Sequence, residues 1–356
     1  MIHPHLSSQR LLLLVLASSA FACLPKDTRP IPASLLVTAS SDDAVKQGFD
    51  TEDGWHIKFT RFVVSMGRSS LDGDACNPYS EAGYVRVLDM QQPGQQKVSI
   101  IYGLGHCDFS FRVSNPGNDY LLGPGVSPED ALYMQTAGTD NYTTARGFTG
   151  VDASTGINAI INGVATSANE QKTFSWSFRQ NLQYAACSVE SDAGIEVGLN
   201  LQGLASETLN ILVRGETLFQ TDVTLPGSSL RFQPMALADS QYGNNDGSVS
   251  LDELGLVPVH VVAVAGTLGQ LDAGNSIGPT NGDAGQRAGS FDAGPASPDA
   301  SFGDYIGGND SVFTGDAGIT AMNNLEAFVY SVLFPSMFHF RDTGQCAIAI
   351  RAPRGR

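Results

Sequence analysis

The alternation of apolar and polar side chains constrains the fold of this chain more than any other feature. Between Ile31 and His260 the dominant period is two; Phe174, Trp176 and Phe178, for example, alternate with polar residues. Successive side chains of a β-strand point to opposite faces, so this period predicts strands with one buried and one solvated face. Further runs of this kind are 55–59, 107–113, 195–201 and 209–213. About ten such runs, separated by turn-forming residues, predict a mainly β fold, specifically an antiparallel β-sandwich.

Helices are expected to be few and short. Ser127-Pro128-Glu129-Asp130 combines an N-cap residue, a proline at the first helical position and acidic residues in the first turn, which predicts a helix through about Gln135. Asn324 can cap a second helix over 325–333, which Pro335 would end. The tail alternates again at 346–350, which predicts a strand that docks on the main sheet.

The N-terminus has the features of an export signal. The apolar stretch Leu11–Ala22 holds 12 residues, too few for a membrane span of about 20. Ala20-Phe21-Ala22-Cys23 resembles a bacterial lipobox. The resemblance implies a signal peptide over 1–22 and a lipid on Cys23, and Leu24 after it indicates the outer membrane, with the side of that membrane left open. The alternative is an ordinary secreted protein cleaved before Cys23.

Export makes disulfides possible for the remaining cysteines, Cys76, Cys107, Cys187 and Cys346. Four cysteines allow three pairings, among which the sequence does not decide. We favour Cys76–Cys107 and Cys187–Cys346, because the first joins neighbours in sequence and the second closes the C-terminal strand onto the fold.

One segment differs in kind from the rest of the chain. Residues 265–319 hold 13 of the 39 glycines, and seven aspartates against one cation, Arg287. Large apolar residues are too scarce there to offset chain entropy, which predicts a disordered acidic insertion. The expected organisation is a signal peptide over 1–22, a β domain over 23–264, the insertion over 265–319, and a C-terminal helix and strand over 320–356.

Charge narrows the choice of partners. Twenty Lys and Arg residues against 36 Asp and Glu give a net charge of −16. Such a surface repels phosphate backbones, so nucleic acid is not expected as a partner. It suits divalent cations, cationic ligands or simple solubility. The expected membrane contact is made through the lipid anchor; the sequence identifies neither a protein nor a small-molecule partner.

The strongest motif is the segment Tyr242–Glu253, which resembles a 12-residue EF-hand calcium loop. The resemblance places Gly247 at the sharp turn of position 6 and an apolar residue, Val249, at position 8. It implies a set of calcium ligands within 239–254: Asp239, Asn244, Asp246, Ser248, Ser250 and Glu253. Calcium is therefore the expected cofactor, because these oxygens are hard ligands at a spacing that surrounds one point.

The motif also departs from the EF-hand pattern. Position 1 is Tyr242 where an aspartate is expected, and Asp239, three residues earlier, could replace it only in an expanded loop. Pro234 leaves little room for an entering helix. The alternative interpretation is an Asn-Asp-Gly turn followed by a capped helical turn.

Two histidines suggest a second metal hypothesis. His56, beside Trp55, and His106 resemble the ligands of methanobactin-associated periplasmic copper-binding β-sandwich proteins, in which two histidines and an oxidised tryptophan hold copper. Neighbouring strand residues point to opposite faces, however, so Trp55 and His56 could share one metal only at a bulge.

Signatures of catalysis are weak. Gly274-Asn275-Ser276-Ile277-Gly278 matches the pattern of a nucleophile elbow, but it lies inside the insertion, without the strand and helix that the elbow needs. The sequence therefore predicts an exported, lipid-anchored, non-enzymatic binding or structural module, with calcium as its stabilising ion. The alternatives are a periplasmic copper-binding protein and a hydrolase on a β scaffold.

Overall fold

The computed structural model describes residues 30–136, 156–191, 194–223, 228–258 and 324–350. The fold is mainly β. The strands are β1 Ala33–Ser41, β2 Phe49–Asp50, β3 His56–Asp72, β4 Cys76–Pro78, β5 Val85–Asp89, β6 Gln96–Val113, β7 Tyr120–Leu122, β8 Ala159–Thr166, β9 Gln171–Phe178, β10 Leu182–Ser191, β11 Gly194–Val197, β12 Leu199–Leu201, β13 Ser206–Val213, β14 Ser248–Val249, β15 Phe338–Phe340 and β16 Gln345–Ile350.

Helical segments of the described residues are short and lie mostly between strands. The α-helices are α1 Asp43–Gln47, α2 Pro128–Thr136, α3 Gln233–Leu237, α4 Leu251–Leu254 and α5 Leu325–Phe328. Two 3₁₀ turns, Gly215–Phe219 and Pro335–Met337, and two π-helical turns, Ala238–Tyr242 and Val329–Leu333, complete the set. No helix in these ranges is long and apolar enough to cross a membrane.

The strands hydrogen-bond into one large curled sheet with the central order β14-β9-β8-β3-β6-β1-β13-β15. Most neighbours are antiparallel, as expected, but β1–β13, β5–β7 and β9–β14 pair in parallel. The sheet is therefore mainly antiparallel, as predicted, with three parallel pairs that the sequence did not indicate. A parallel pair needs a long connection, and local alternation carries no information about such pairing.

Alternation identified the buried faces correctly in the two strands with the clearest pattern. In β9, Phe174, Trp176 and Phe178 are buried, and the alternate positions from Thr173 onward are exposed or half-buried. In β6, the odd positions from Cys107 to Val113 are fully buried. Both runs contribute to the main apolar core.

The run 195–201 was expected to form one strand and instead forms two. Ile195 and Val197 of β11 are exposed, whereas Leu199 and Leu201 of β12 are buried. Gly198 separates the two strands with φ +71°, and a Cβ there would lie 2.5 Å from the carbonyl oxygen of Cys107. Only glycine fits at this point, where the chain leaves β10 and pairs with β6 instead.

Both predicted helix starts are confirmed. Ser127 Oγ accepts a hydrogen bond from the Asp130 amide, and the Asp130 carboxylate accepts one from the Ser127 amide, both at 3.2 Å. This reciprocal cap begins α2, which covers a small separate cluster that includes Val63 and Met134. Asn324 Oδ1 accepts from the Ala327 amide at 2.9 Å and begins α5.

The C-terminal strand joins the main sheet. β16 pairs antiparallel with β10 over Leu182–Ser188, and Cys187 is bonded to Cys346 across this pair. Cys76 is bonded to Cys107, which links β4 to β6. The favoured disulfide pairing is thus present in the structure. The predicted signal peptide 1–22, Cys23 and the predicted insertion 265–319 lie outside the described residues.

The Cys187–Cys346 bond is expected to stabilise the fold more than the Cys76–Cys107 bond. The two bonds span 159 and 31 residues, respectively. The loop-closure model gives about 5 and about 4 kcal/mol for such loops. Equilibrium urea unfolding of Cys187→Ser/Cys346→Ser and of Cys76→Ser/Cys107→Ser measures both losses, and a larger loss in the second variant would contradict the expectation.

His339 in β15 is expected to make the protein less stable in mild acid. Burial, together with the nearby Arg214 charge, lowers the pKa of His339 to about 4, against 6.5 in an unfolded chain. The unfolded state therefore binds the proton more readily, and stability falls as the pH decreases from 6.5 toward 4. Relative to His339→Gln, the wild type should lose about 1–2 kcal/mol between pH 6.5 and 4.5, after allowance for partial exposure.

Urea unfolding of both proteins at several pH values checks this prediction. Asp42 also titrates in this range, because burial raises its pKa to about 6, but it is present in both proteins and cancels in the difference. Parallel stability profiles for wild type and His339→Gln would contradict the prediction.

Candidate functional site

The EF-hand-like segment is held between two helical turns. Helix α3 and the following π-helical turn form a helical segment over 233–242, and α4 follows the loop after the short strand β14. Pro234 was expected to leave little room for an entering helix, but a short helix does precede the loop. Pro234 lies in the first turn of α3, where its missing amide hydrogen would have had no helical partner.

Three of the predicted ligands come together. One carboxylate oxygen from each of Asp239, Asp246 and Glu253 lies within 4.8 Å of the other two. Asp239 and Glu253 are buried, whereas Asp246 is exposed and lines an open cleft. The structure therefore brings Asp239 into the loop despite its position three residues before Tyr242.

Asp239 holds the turn of the loop in place. Its carboxylate accepts hydrogen bonds from the amides of Asp246 at 2.8 Å and Gly247 at 3.2 Å, and its carbonyl accepts one from Asn245 at 3.0 Å. Asn245 and Gly247 have φ values of +55° and +84°. These left-handed conformations suit asparagine and glycine, which explains why an Asn-Asp-Gly sequence forms this turn.

Asp239 already has a positively charged partner, Lys172 of β9. The Lys172 ammonium lies 2.6 Å from Asp239 Oδ2, and only 6% of the lysine side chain is exposed. Burial lowers the pKa of Lys172, but the hydrogen bond and charge of Asp239, with Glu170, outweigh burial and raise it above its ordinary value. The ammonium is thus fully charged at neutral pH and neutralises the buried Asp239.

Lys172 was not among the predicted site residues, although the alternation of β9 contained a signal for it. In β9, Lys172 has the same parity as Phe174, Trp176 and Phe178, so it lies on the buried face of the strand. A lysine at such a position needs a buried anionic partner, because an unpaired ammonium there would be very costly. The sequence around Lys172 could not identify its partner, because Asp239 lies 67 residues away along the chain.

Glu253 is held by the start of helix α4. Its Oε2 accepts from the Ser250 amide at 2.9 Å and from Ser250 Oγ at 3.0 Å, and its Oε1 accepts from the Asn244 amide at 3.3 Å. Ser250 in turn caps α4 by accepting from the Glu253 amide. Glu253 and Ser250 therefore form the capping box of the alternative interpretation, and the same glutamate also joins the carboxylate cluster.

The remaining predicted ligands organise the loop itself. Asn244 Oδ1 accepts from the Asp246 amide at 2.9 Å, and Asp246 Oδ1 accepts from the Ser248 amide at 2.8 Å. Asn244 Nδ2 also donates to Asp246 Oδ2 at 3.0 Å. Trp176 Nε1 donates to the Val249 carbonyl at 3.0 Å and fixes the loop to β9. The loop is thus preformed, with Asp246 as the exposed carboxylate of the cluster.

The cluster can offer hard oxygen ligands to a divalent cation, but two of its carboxylates already have other partners. Calcium prefers six to eight oxygen ligands and tolerates irregular geometry. Here Asp239 shares its charge with Lys172, and Glu253 shares its oxygens with the helix cap. A cation at the cluster would therefore lie near a buried ammonium of the same sign, which weakens its binding.

The proposed copper ligands do not join such a cluster. His56 is exposed, with Nδ1 2.8 Å from Asp50 Oδ1. Trp55 is buried on the opposite face and its indole donates to Gln233 Oε1 at 3.2 Å. His106 is exposed on β6, beside Asn200 of β12. Within the described ranges, the one group of three or more His, Cys, Asp or Glu side chains with converging ligand atoms is Asp239, Asp246 and Glu253.

Comparisons of the chain with protein-family models, curated proteins and solved structures give no match.

Proposed function

We propose that this chain is an exported, lipid-anchored protein that acts as a non-enzymatic binding or structural module, and that calcium stabilises its loop 239–254. The observation that carries the calcium proposal is the convergence of Asp239, Asp246 and Glu253 to within 4.8 Å of one another. The lipobox-like Ala20–Cys23 supports anchoring, and two disulfides fit an oxidising compartment.

The expected affinity for calcium is low. Three carboxylates, one of them paired with Lys172, place the site in the range of extracellular modules, with a dissociation constant on the order of 10⁻⁴–10⁻³ M. Calcium outside a cell can occupy a site of that affinity. Its role is then to stabilise the folded loop between α3 and α4 rather than to signal changes in concentration.

Calcium is expected to raise the melting temperature of the full chain, and Glu253→Gln should abolish the rise. Any ligand that binds only the folded state stabilises it, by about 2.7 kcal/mol at 100 times its dissociation constant. Since the site is weak, about 10 mM calcium should raise the melting temperature by a few degrees. Thermal unfolding with calcium, with magnesium and with a chelator measures this effect.

The controls separate site binding from general charge screening. Asp246→Asn should reduce the calcium-dependent rise, whereas Asp74→Asn, which removes an exposed carboxylate between β3 and β4, should leave it unchanged. An equal rise in all three carboxylate variants would show only that cations screen the negative surface. No rise in the wild type at 10 mM calcium would overturn the calcium proposal.

Lys172→Met is expected to increase the response to calcium. Removal of the ammonium leaves a buried, unpaired Asp239, which should destabilise the calcium-free protein by about 3–5 kcal/mol. It also removes the like charge beside the cluster, so calcium should raise the melting temperature more than in the wild type. Differential scanning calorimetry over a calcium titration measures both effects.

The double variant Lys172→Met/Asp239→Asn is the matched control. Both buried charges are then absent, so the protein should recover stability relative to Lys172→Met and should lose most of its calcium response. A calcium response that is identical in the wild type, Lys172→Met and the double variant would place any bound calcium elsewhere.

A further inference from the structure

Four uncharged chain segments meet where the described chain begins, in a protein with a net charge of −16. These segments are 30–34, 77–80, 100–104 and 202–206, and none of them contains an Asp, Glu, Lys or Arg residue. We call their exposed or half-buried Ile, Leu and Tyr residues the apolar tip; they are Ile31, Tyr79, Ile100, Tyr102, Leu104 and Leu204.

Hydrogen bonds and close packing hold the four segments together. The Tyr79 hydroxyl donates to the Pro30 carbonyl at 2.9 Å, and its amide donates to the Tyr102 carbonyl at 2.9 Å. The Ser34 amide donates to the Ala205 carbonyl at 2.9 Å. A Cβ on Gly203 would lie 2.8 Å from the Ile31 carbonyl oxygen, so the turn that carries Leu204 packs directly on Ile31.

Three side chains of the apolar tip are largely exposed to solvent. The exposed fractions are 60% for Ile31, 43% for Tyr102 and 78% for Leu204. Leu204 also has φ +64°, a conformation that glycine or asparagine adopts far more easily than leucine. Leu204 thus presents a large apolar side chain to water from a strained turn, next to other exposed apolar residues, and such a patch suits contact with an apolar partner.

The expected anchor identifies the membrane as that partner. Pro30 follows Cys23 by seven residues, a distance that an extended chain covers in at most about 25 Å. A lipid on Cys23 would therefore hold the apolar tip close to the bilayer. Leucine and isoleucine side chains insert below the headgroups, and tyrosines favour the interface, where one end is apolar and the other is hydrated.

We propose that the apolar tip inserts into the interface of a zwitterionic bilayer and fixes the orientation of the anchored protein. This inference rests on the lipid anchor of the proposed function and is independent of calcium. The absence of charge in the four segments favours zwitterionic lipid, since the net charge of −16 opposes approach to an anionic surface.

The test places an environment-sensitive fluorophore on the tip. Full-length chain carrying Leu204→Cys is expressed with its own N-terminus, labelled with a nitrobenzoxadiazole group and reconstituted in phosphatidylcholine vesicles. We expect a blue-shifted emission that is quenched by lipids with a quencher near the headgroup. The matched control is Leu256→Cys, an equally apolar position, 54% exposed, outside the apolar tip; it should show no shift. Ile31→Cys serves as a second tip position.

Each other outcome overturns the proposal. No shift at Leu204→Cys or Ile31→Cys in vesicles means that the tip does not contact lipid. A shift that appears without vesicles and grows with protein concentration means that a second copy covers the tip. A shift without vesicles that is independent of concentration means that another part of this chain covers it.

Lipidation of Cys23 is tested separately, by mass spectrometry of the peptide that contains Cys23. If Cys23 carries no lipid, the lipid anchor of the proposed function fails. The tip is then tested by titrating labelled Cys23→Ser/Leu204→Cys with phosphatidylcholine vesicles. An unlabelled Cys23→Ser protein should lose about fivefold in vesicle partition on adding Leu204→Asn, because less apolar area enters the interface. Unchanged partition would overturn the insertion of the tip.

Discussion

The hydrogen bonding of strand β6 is the constraint on which the rest of the fold depends. Its 18 residues pair with β1, β4, β12, β3 and β10 along successive stretches of its two edges. Gly105 allows β6 to pair with β4 and β12 at the point where its partners change. It has φ +95°, and a Cβ there would lie 2.3 Å from the Ala75 carbonyl oxygen, so only glycine fits. The Cys76–Cys107 disulfide lies at the same place and links β4 covalently to β6 where the pairing of β6 changes.

The buried Lys172–Asp239 ion pair fixes the position of loop 239–254 against the sheet. An ion pair taken out of water contributes little net stability, because the cost of desolvation offsets much of the attraction. The pair instead fixes position. Because the Lys172 ammonium lies 2.6 Å from the buried Asp239 carboxylate, the helical segment 233–242 is held at one place along β9. The hydrogen bond from Trp176 to Val249 and the parallel pairing of β14 with β9 fix the other side of the loop.

The sequence predicted those features that depend on nearby residues. Alternation identified the buried faces of β6 and β9, and local capping patterns identified α2 and the start of α5. The capped helical turn that follows the Asn-Asp-Gly turn was likewise predicted, and the structure shows it as a capping box of Ser250 and Glu253. Features that depend on distant residues could not be predicted from the sequence. They are the parallel pairing of β1 with β13, the break between strands at Gly198, and the partner of Lys172.

The face-to-face arrangement of two sheets in a sandwich remains a prediction, since the strands form one curled sheet.

Charge distribution connects the two proposals made for this protein. Backbone amides hold the carboxylates of the loop close together, Lys172 offsets the charge of one of them, and the remaining negative charge is the basis of the calcium proposal. The apolar tip shows the opposite composition, with four neighbouring segments free of charge. If the protein is anchored as proposed, its net charge of −16 causes anionic headgroups to repel the acidic surfaces but not the uncharged tip. Under the two proposals, electrostatic repulsion and apolar insertion would therefore favour the same orientation, in which the uncharged tip faces the bilayer.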